Sequence, residues 1–443
     1  MSDMSFNHYE ANPLRSNKIM QQFKILLTMV TMFAVSAFGQ NKAALLDSLI
    51  AEALRNNPQL KAARDQTSAA YSQVRQATAW EAPQIGMEFY QTPVQSFPNP
   101  FKDQMEYDYY IQQMFPYPGK LSAMGKMANN NAFMLEQSSL AIERKIIRDL
   151  KSAYYELYLM QRKIAINAEN QELMRKFNEI AIRQYEAGMG KQPDILRAQT
   201  ELSMLITEGI NLQSEKKVIE AMINTILDRP VDQPIGVVPD IEMRLPQWSF
   251  AQLQSLALEN RPELKAMSFG IAMSKAELSF SKREYYPDLM MRLMYKDMTA
   301  TGNDFWSLMV GVNVPLAFWS GKKYTAKVEE NELRVRKAEE DYNTMKNMTL
   351  FEVQSALIKV QTNQNLLLLY KNTVIAQAEQ TLQSTIAAYQ TAKTEFLMLI
   401  DAYRMVLQAK LDYYLAVMNY VSSQAQLEQS VGLSIAGIEE KIR

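Results

Sequence analysis

Residues 49–62 read LIAEALRNNPQLKA, and residues 253–266 read LQSLALENRPELKA. Leu49, Ala53, Leu54, Asn56, Pro58, Leu60, Lys61 and Ala62 return 204 positions later as Leu253, Ala257, Leu258, Asn260, Pro262, Leu264, Lys265 and Ala266. The same shift carries Pro83 to Pro287, Tyr185 to Tyr389 and Ala198 to Ala402. One spacing kept over so long an interval marks a duplication. The copies, about 200 residues each, are far longer than a solenoid unit. The chain is therefore two large structural repeats.

Each repeat has the same internal order. Pro58 and Pro262 suit the first turn of a helix, where a missing N–H costs nothing. The helices they open are expected to run to Pro83 and Pro287. Two alternating segments follow in each repeat. The first repeat has Ile85, Met87 and Phe89, then Tyr107, Tyr109, Ile111, Gln113 and Phe115. The second has Leu289, Met291, Leu293 and Tyr295, then Trp306, Leu308, Val310, Val312 and Val314. Period-two alternation predicts strands. Their length and their Tyr and Trp suit a membrane barrel, although a soluble hairpin carries the same pattern. Turn residues separate the strands, at 92–100 and at 299–304. Phe115-Pro116-Tyr117-Pro118-Gly119-Lys120 and Val314 to Lys322 end the strands and start long helices.

Those helices have little to interrupt them. No Gly or Pro falls between Lys126 and Ala187, or between Lys322 and Val431. A helix over 120–187 would be roughly 100 Å long at 1.5 Å per residue. Gly188, Gly190 and Pro193 mark its end. In the second repeat the break is expected around Ala392, Lys393 and Thr394. Beyond each break lies a heptad seam. It reads Ile195, Ala198, Leu202, Leu205, Gly209, Leu212 in the first repeat. It reads Leu399, Ala402, Val406, Ala409, Tyr413, Ala416, Tyr420 in the second. Such seams bury knobs into holes of a partner helix, so an antiparallel helical pair is expected at the far end of each repeat.

Composition narrows the function. The 443 residues carry a net charge of −1, which gives no electrostatic case for nucleic acid. Only 14 Gly and 16 Pro are present, in keeping with long helices. There is no Cys, and the single His, His8, falls in the leader. Residues 1–39 read as a secretory signal peptide: Lys18 and Lys24, an apolar run from Ile25 to Phe38, then Ala37-Phe38-Gly39. Met20 is a candidate start, which would make residues 1–19 an over-extended frame. No segment has the 18 consecutive apolar residues of a membrane helix. Without mature His or Cys, and without a phosphate loop, no catalytic constellation remains, and no cofactor or metal site is expected. The 29 Met read as packing residues of the helix seams rather than as a soft-metal site.

The duplication, the Asn-x-Pro-x-Leu starts, one hairpin per repeat and the Tyr-x-x-Gly/Ala turn before a coiled coil resemble the TolC-like outer membrane efflux family. The resemblance spans nearly all of residues 45–432, and Pro118-Gly119-Lys120 is a weak pointer to its heavy-metal RND branch. It implies a mainly α fold with a small β part: a homotrimer whose twelve strands close an outer-membrane barrel, continued by a periplasmic α-helical barrel. On this reading 40–228 and 249–432 are the repeats, 229–248 the linker and 433–443 a tail. The expected partners are outer-membrane lipid, a periplasmic adaptor and an inner-membrane RND or ABC pump. The expected function is passive, gated export of small solutes such as drugs or metal ions. A type I protein-secretion duct, or a soluble periplasmic coiled-coil scaffold or adaptor, are the alternatives. By resemblance, Asp194, Tyr389 and Asp401 fall on gate or pore positions of the helical tip. Thr394 and Met398 stand where a well-known member has an arginine and an aspartate, and Arg197 and Arg404 are near enough to substitute.

Overall fold

The computed structural model describes residues 45–442, apart from 103, 242, 244, 299–301 and 316–318. The leader at 1–39 lies outside the described residues, as do parts of the second hairpin loop and of the second strand exit.

The first repeat folds as α1 (Leu46–Asn56), α2 (Pro58–Thr78), β1 (Gln84–Tyr90), β2 (Glu106–Phe115), α3 (Lys120–Glu186) and α4 (Gln192–Leu227). The second folds as α5 (Phe250–Asn260), α6 (Pro262–Arg283), β3 (Leu289–Met298), β4 (Asn303–Val312), α7 (Gly321–Leu369), α8 (Ile375–Gln390) and α9 (Phe396–Val431). A π-helical turn, Tyr370–Val374, joins α7 to α8, and α10 (Ile435–Ile442) follows α9. Both ends of α1 and α5, and of α4 and α9, differ by the 204 residues of the sequence repeat.

The duplication extends to single backbone angles. Asp228 and Gly432 end α4 and α9 with φ of 60° and 80°. Asn57 and Arg261 precede the proline-led helices with nearly the same backbone. Their side chains have diverged. Asn57 caps α2 by accepting from the N–H of Gln59 and Leu60, and donates to the Ile226 carbonyl at 2.9 Å. Arg261 is buried against Glu352 at 2.5 Å instead.

Two expectations shift. The proline-led helices stop at Thr78 and Arg283, a few residues short of Pro83 and Pro287. Ala79, four residues ahead of Pro83, is already extended (φ −77°, ψ 149°); a helix carried on to Pro83 would drive the proline ring against the Ala79 carbonyl. Asn303 and Asp304 belong to β4, paired with Met298 and Asp297, so the second hairpin turn is tighter than its polar sequence suggested.

The helix α3 has 67 residues and, at 1.5 Å each, runs for roughly 100 Å. It packs on α2, α4, α6 and α9, and so ties the two repeats together. One core surrounds Leu150, Leu157, Ile223, Leu227, Leu253 and Tyr420. The segment between the repeats joins it through Ile235, Val238 and Trp248. A second core, around Met174, Phe177, Ala198, Phe396, Leu399 and Tyr403, holds the far ends of the helices. Ala198, Leu205 and Leu212, and Leu399, Ala402, Val406, Ala409, Ala416 and Tyr420, are all buried seam residues. Met160 and Met174 are buried, whereas Met189, Met204, Met398 and Met405 are more than half exposed on the single chain.

The strands form one antiparallel sheet in the order β1-β2-β3-β4. The first strand exit locks it onto the helices. Lys120 Nζ donates to Asp288 Oδ1 at 2.8 Å, and the same oxygen accepts the Tyr117 N–H at 2.7 Å. Tyr117 stacks on Tyr286 with ring centroids 4.4 Å apart.

Candidate functional site

The register sorts the sheet into two faces. Ile85, Ile111, Leu293 and Leu308 form one continuous row across all four strands. Met87, Tyr109, Tyr295 and Trp306 form the next. These side chains are exposed, Trp306 by 74%. The opposite face carries Glu88, Asp108 and Lys296 in one row, and Gln112 and Arg292 in another. Lys296 Nζ donates to Glu106 at 2.7 Å and to Asp108 at 3.0 Å. Arg292 donates to Gln112 Oε1 at 2.8 Å and lies 4.5 Å over the Tyr110 ring. Each strand has apolar residues on both faces, and pairing lines up the continuous apolar rows on one of them. Among the described residues β1 and β4 each have one neighbour, so two backbone edges are unpaired.

At the other end, α3 turns into α4 through residues 187–191, and α8 into α9 through 391–395. The turns are hydrogen-bonded alike. The Gly188 and Ala392 N–H groups donate to the carbonyls of Tyr185 and Tyr389, both at 3.0 Å. The Met189 and Lys393 N–H groups donate to Gln184 and Ala388, both at 2.9 Å. Gly188 adopts φ 72° and Ala392 adopts φ 52°. This is a left-handed helix stop, which glycine takes freely and alanine takes at a cost.

Asp194, Arg197 and Tyr389 are brought together around a cavity of about 480 Å³, which is also lined by Lys191, Glu395 and Phe396. Tyr389 is buried, its ring centroid 5.4 Å from that of Phe396, and its hydroxyl has no hydrogen-bond partner. Burial, reinforced by the Asp194 charge, pushes this phenol up to about 12. Its equivalent, Tyr185, is 48% exposed. Arg404 does not join this cavity and pairs with Glu201 beside it. Asp401 is exposed and lines neither space. Thr394 and Met398 line a polar groove of about 580 Å³ with Gln377, Thr381, Ser384 and Thr385.

Sequence reading missed three cross-repeat contacts here. Glu201 is the partner of Arg404. Gln184 Nε2 donates to the Gln390 carbonyl at 3.0 Å. Lys191 lies 3.5 Å from Glu395. The last pair had a visible signal, because its members are 204 residues apart and opposite in charge.

Among the described residues no helix is long and apolar enough to cross a membrane. The family model described as "Outer membrane efflux protein" matches residues 49–227 and 253–433. Nodulation protein T of Rhizobium leguminosarum bv. trifolii is 20% identical over 65% of this chain, and the match spans 62% of that protein's length. The cobalt-zinc-cadmium resistance protein CzcC of Cupriavidus metallidurans is 20% identical over 67% of this chain and 69% of its own. Among solved structures, the outer membrane protein VceC from Vibrio cholerae superposes with a TM-score of 0.74 at 18% identity, over 88% of this chain and 96% of its own.

Proposed function

Because the chain belongs to the outer membrane efflux protein family, whose members are passive outer-membrane channels and not enzymes, we propose that three copies form one exit duct. The observation that carries this reading is the sheet. It has one face with two apolar rows across all four strands, an opposite face that carries Glu88, Asp108, Lys296 and Arg292, and two unpaired edges, and it sits at one end of helices roughly 100 Å long. Lipid accepts the apolar face, but it cannot satisfy open edges, so copies must pair β1 with β4 until the sheet closes. Three four-stranded sheets make a twelve-stranded barrel with Lys296 and Arg292 facing the lumen. The helices continue it into the periplasm.

Family members work with periplasmic adaptors and inner-membrane pumps. For this chain the tip of α3–α4 and α8–α9 is the proposed docking end for an adaptor, with an RND pump behind it. The cargo is proposed to be small solutes, metal ions among them, a reading supported by the likeness to CzcC. The duct carries out no chemistry, and solutes diffuse through when the tip opens. Asp194, Arg197 and Tyr389 are proposed as gate residues because they share one cavity across the two repeats. Arg404 acts through Glu201, and Asp401 faces the pore.

Single-channel recording in a planar bilayer tests this, with wild type beside Asp194→Ala and Asp401→Ala. Wild type is expected to give discrete, low-conductance, cation-selective steps, wider or less selective in the variants. Unchanged variants would remove the gate assignment and leave the duct. A protein that stays in the soluble fraction and forms no channels would overturn the duct.

A further inference from the structure

Residues 150–161 read LKSAYYELYLMQ, and residues 353–364 read VQSALIKVQTNQ. Leu150, Ala153, Tyr154 and Leu157 are buried, and so are Val353, Ala356, Leu357 and Val360. Inside the long helices the repeats are thus 203 residues apart. The π-helical turn at Tyr370–Val374 takes up the one extra residue that puts Tyr185 and Tyr389 204 apart. Tyr158, Gln161 and Arg162 therefore correspond to Gln361, Gln364 and Asn365. In the first repeat these positions hold the backbone of the inter-repeat segment. Gln161 Nε2 donates to the Gly236 carbonyl at 2.8 Å, and its Oε1 accepts the Val238 N–H at 2.9 Å. The Tyr158 hydroxyl donates to Asp240 at 3.3 Å, and Arg162 pairs with the same carboxylate.

In the second repeat the same positions line a cavity of about 350 Å³ between α7 and residues 246–248. Gln364 keeps the carboxamide of Gln161. Among the described residues, none of the side chains of Gln247, Gln361, Gln364 and Asn365 has a hydrogen-bond partner. Leu357, Val360 and Trp248 give the space an apolar wall, and no charged side chain lines it. The chain's own tail does not cover it: α10 packs on α5, where Lys441 donates to Asn260 at 2.8 Å. We infer that this groove docks a backbone segment of a partner protein, held by Gln364 as Gln161 holds residues 236–238. One carboxamide offers both a donor and an acceptor, which matches a carbonyl and the N–H two residues on. Asn365 and Gln361 stand in place of Arg162 and Tyr158, so a carboxylate at the position of Asp240 would have no countercharge. The partner segment is therefore neutral there. Because the helical part is periplasmic, the partner is a periplasmic protein.

The inter-repeat segment supplies the probe. Two labelled, end-blocked peptides spanning residues 233–241, one natural and one with Asp240→Asn, are titrated into the assembled protein in detergent and followed by fluorescence anisotropy. Wild type is expected to bind the Asp240→Asn peptide more tightly. Q361Y/N365R copies the first repeat and is expected to reverse that preference by about tenfold, the worth of one charge-assisted hydrogen bond. Gln364→Leu should weaken both peptides about tenfold or more without lowering the melting temperature. Gln247→Ala, on the other wall, should weaken both severalfold and serves if the α7 variants fail to fold. Wild type that binds neither peptide, an unchanged Gln364→Leu, or a preference that does not reverse would overturn the docking site. Purified cell-wall glycan held by wild type and lost in Gln364→Leu, with the peptides ignored, would make the groove a sugar site and overturn it equally. Channel activity plays no part in these readings, so a failure here leaves the duct untouched.

Discussion

Tyr389 and Tyr185 are the same residue at the same position of two repeats, and their surroundings differ completely. Tyr389 is walled in by Phe396 and the second turn, while Tyr185 looks outward. The raised value of Tyr389 has a definite sign. An ordinary tyrosine ionises near 10 and this one near 12. The unfolded chain loses its proton first, so the fold loses stability as pH climbs from about 10 to about 12 and is unaffected below. Other buried tyrosines titrate the same way, Tyr154 and Tyr420 among them. The informative quantity is thus the difference between wild type and Tyr389→Phe. The phenylalanine variant is expected to show a shallower alkaline loss of melting temperature. It also removes a buried hydroxyl without a partner, which costs on the order of 1 kcal/mol. At neutral pH it should be no less stable than wild type.

Helix ends show how far the repeats are interchangeable. Gly432 and Asp228 both end a helix in the left-handed region. At Gly432 a Cβ would lie 2.9 Å from the Asn260 carbonyl oxygen and 3.0 Å from Arg261 Cα. Gly432→Ala therefore adds a backbone clash to left-handed strain and is expected to cost about 2 kcal/mol. Ala392 already bears such strain, without the glycine its counterpart Gly188 enjoys. Ala392→Gly should relieve about 1–2 kcal/mol of it and return part as unfolded-chain entropy, leaving a net gain of about 0.5 kcal/mol. Thermal melts of the two variants should move in opposite directions. A fall for Ala392→Gly would mean the turn is held by contacts to Ala392 rather than strained by it.

For the whole molecule, the decisive surface is the apolar face of the sheet. Leu308, at mid-strand in β4, lies in the row with Ile85, Ile111 and Leu293, and Ser307 lies on the charged face. Leu308→Arg is expected to cost about 2–4 kcal/mol when the protein folds into lipid, the range for a charge at the bilayer midplane of a barrel. Ser307→Arg should fold close to wild type, because a lumen charge stays hydrated. Urea titrations in lipid vesicles separate the two. If Ser307→Arg were the damaging change, the faces would have to be exchanged.

Much of this was legible in the sequence because local physics wrote it there. The 204-residue shift, the proline-led helices, the alternating strands and the heptad seams depend on side-chain spacing along the chain, and spacing survives without neighbours. The left-handed stop at Ala392 was legible only through the duplication, since nothing in Thr391 to Glu395 announces a turn. Other features needed the third dimension. Which face of each strand is apolar depends on rows formed by four strands, and no single strand settles it. Which tip charges meet depends on two turns brought side by side from 204 residues apart. Lys191–Glu395 and Glu201–Arg404 are set by how the helices cross, whereas Asp401, equally acidic in sequence, is left exposed. Pattern along the chain determined the elements; only the packing of one repeat against the other decided which charges face each other, because electrostatic contact depends on distance in space.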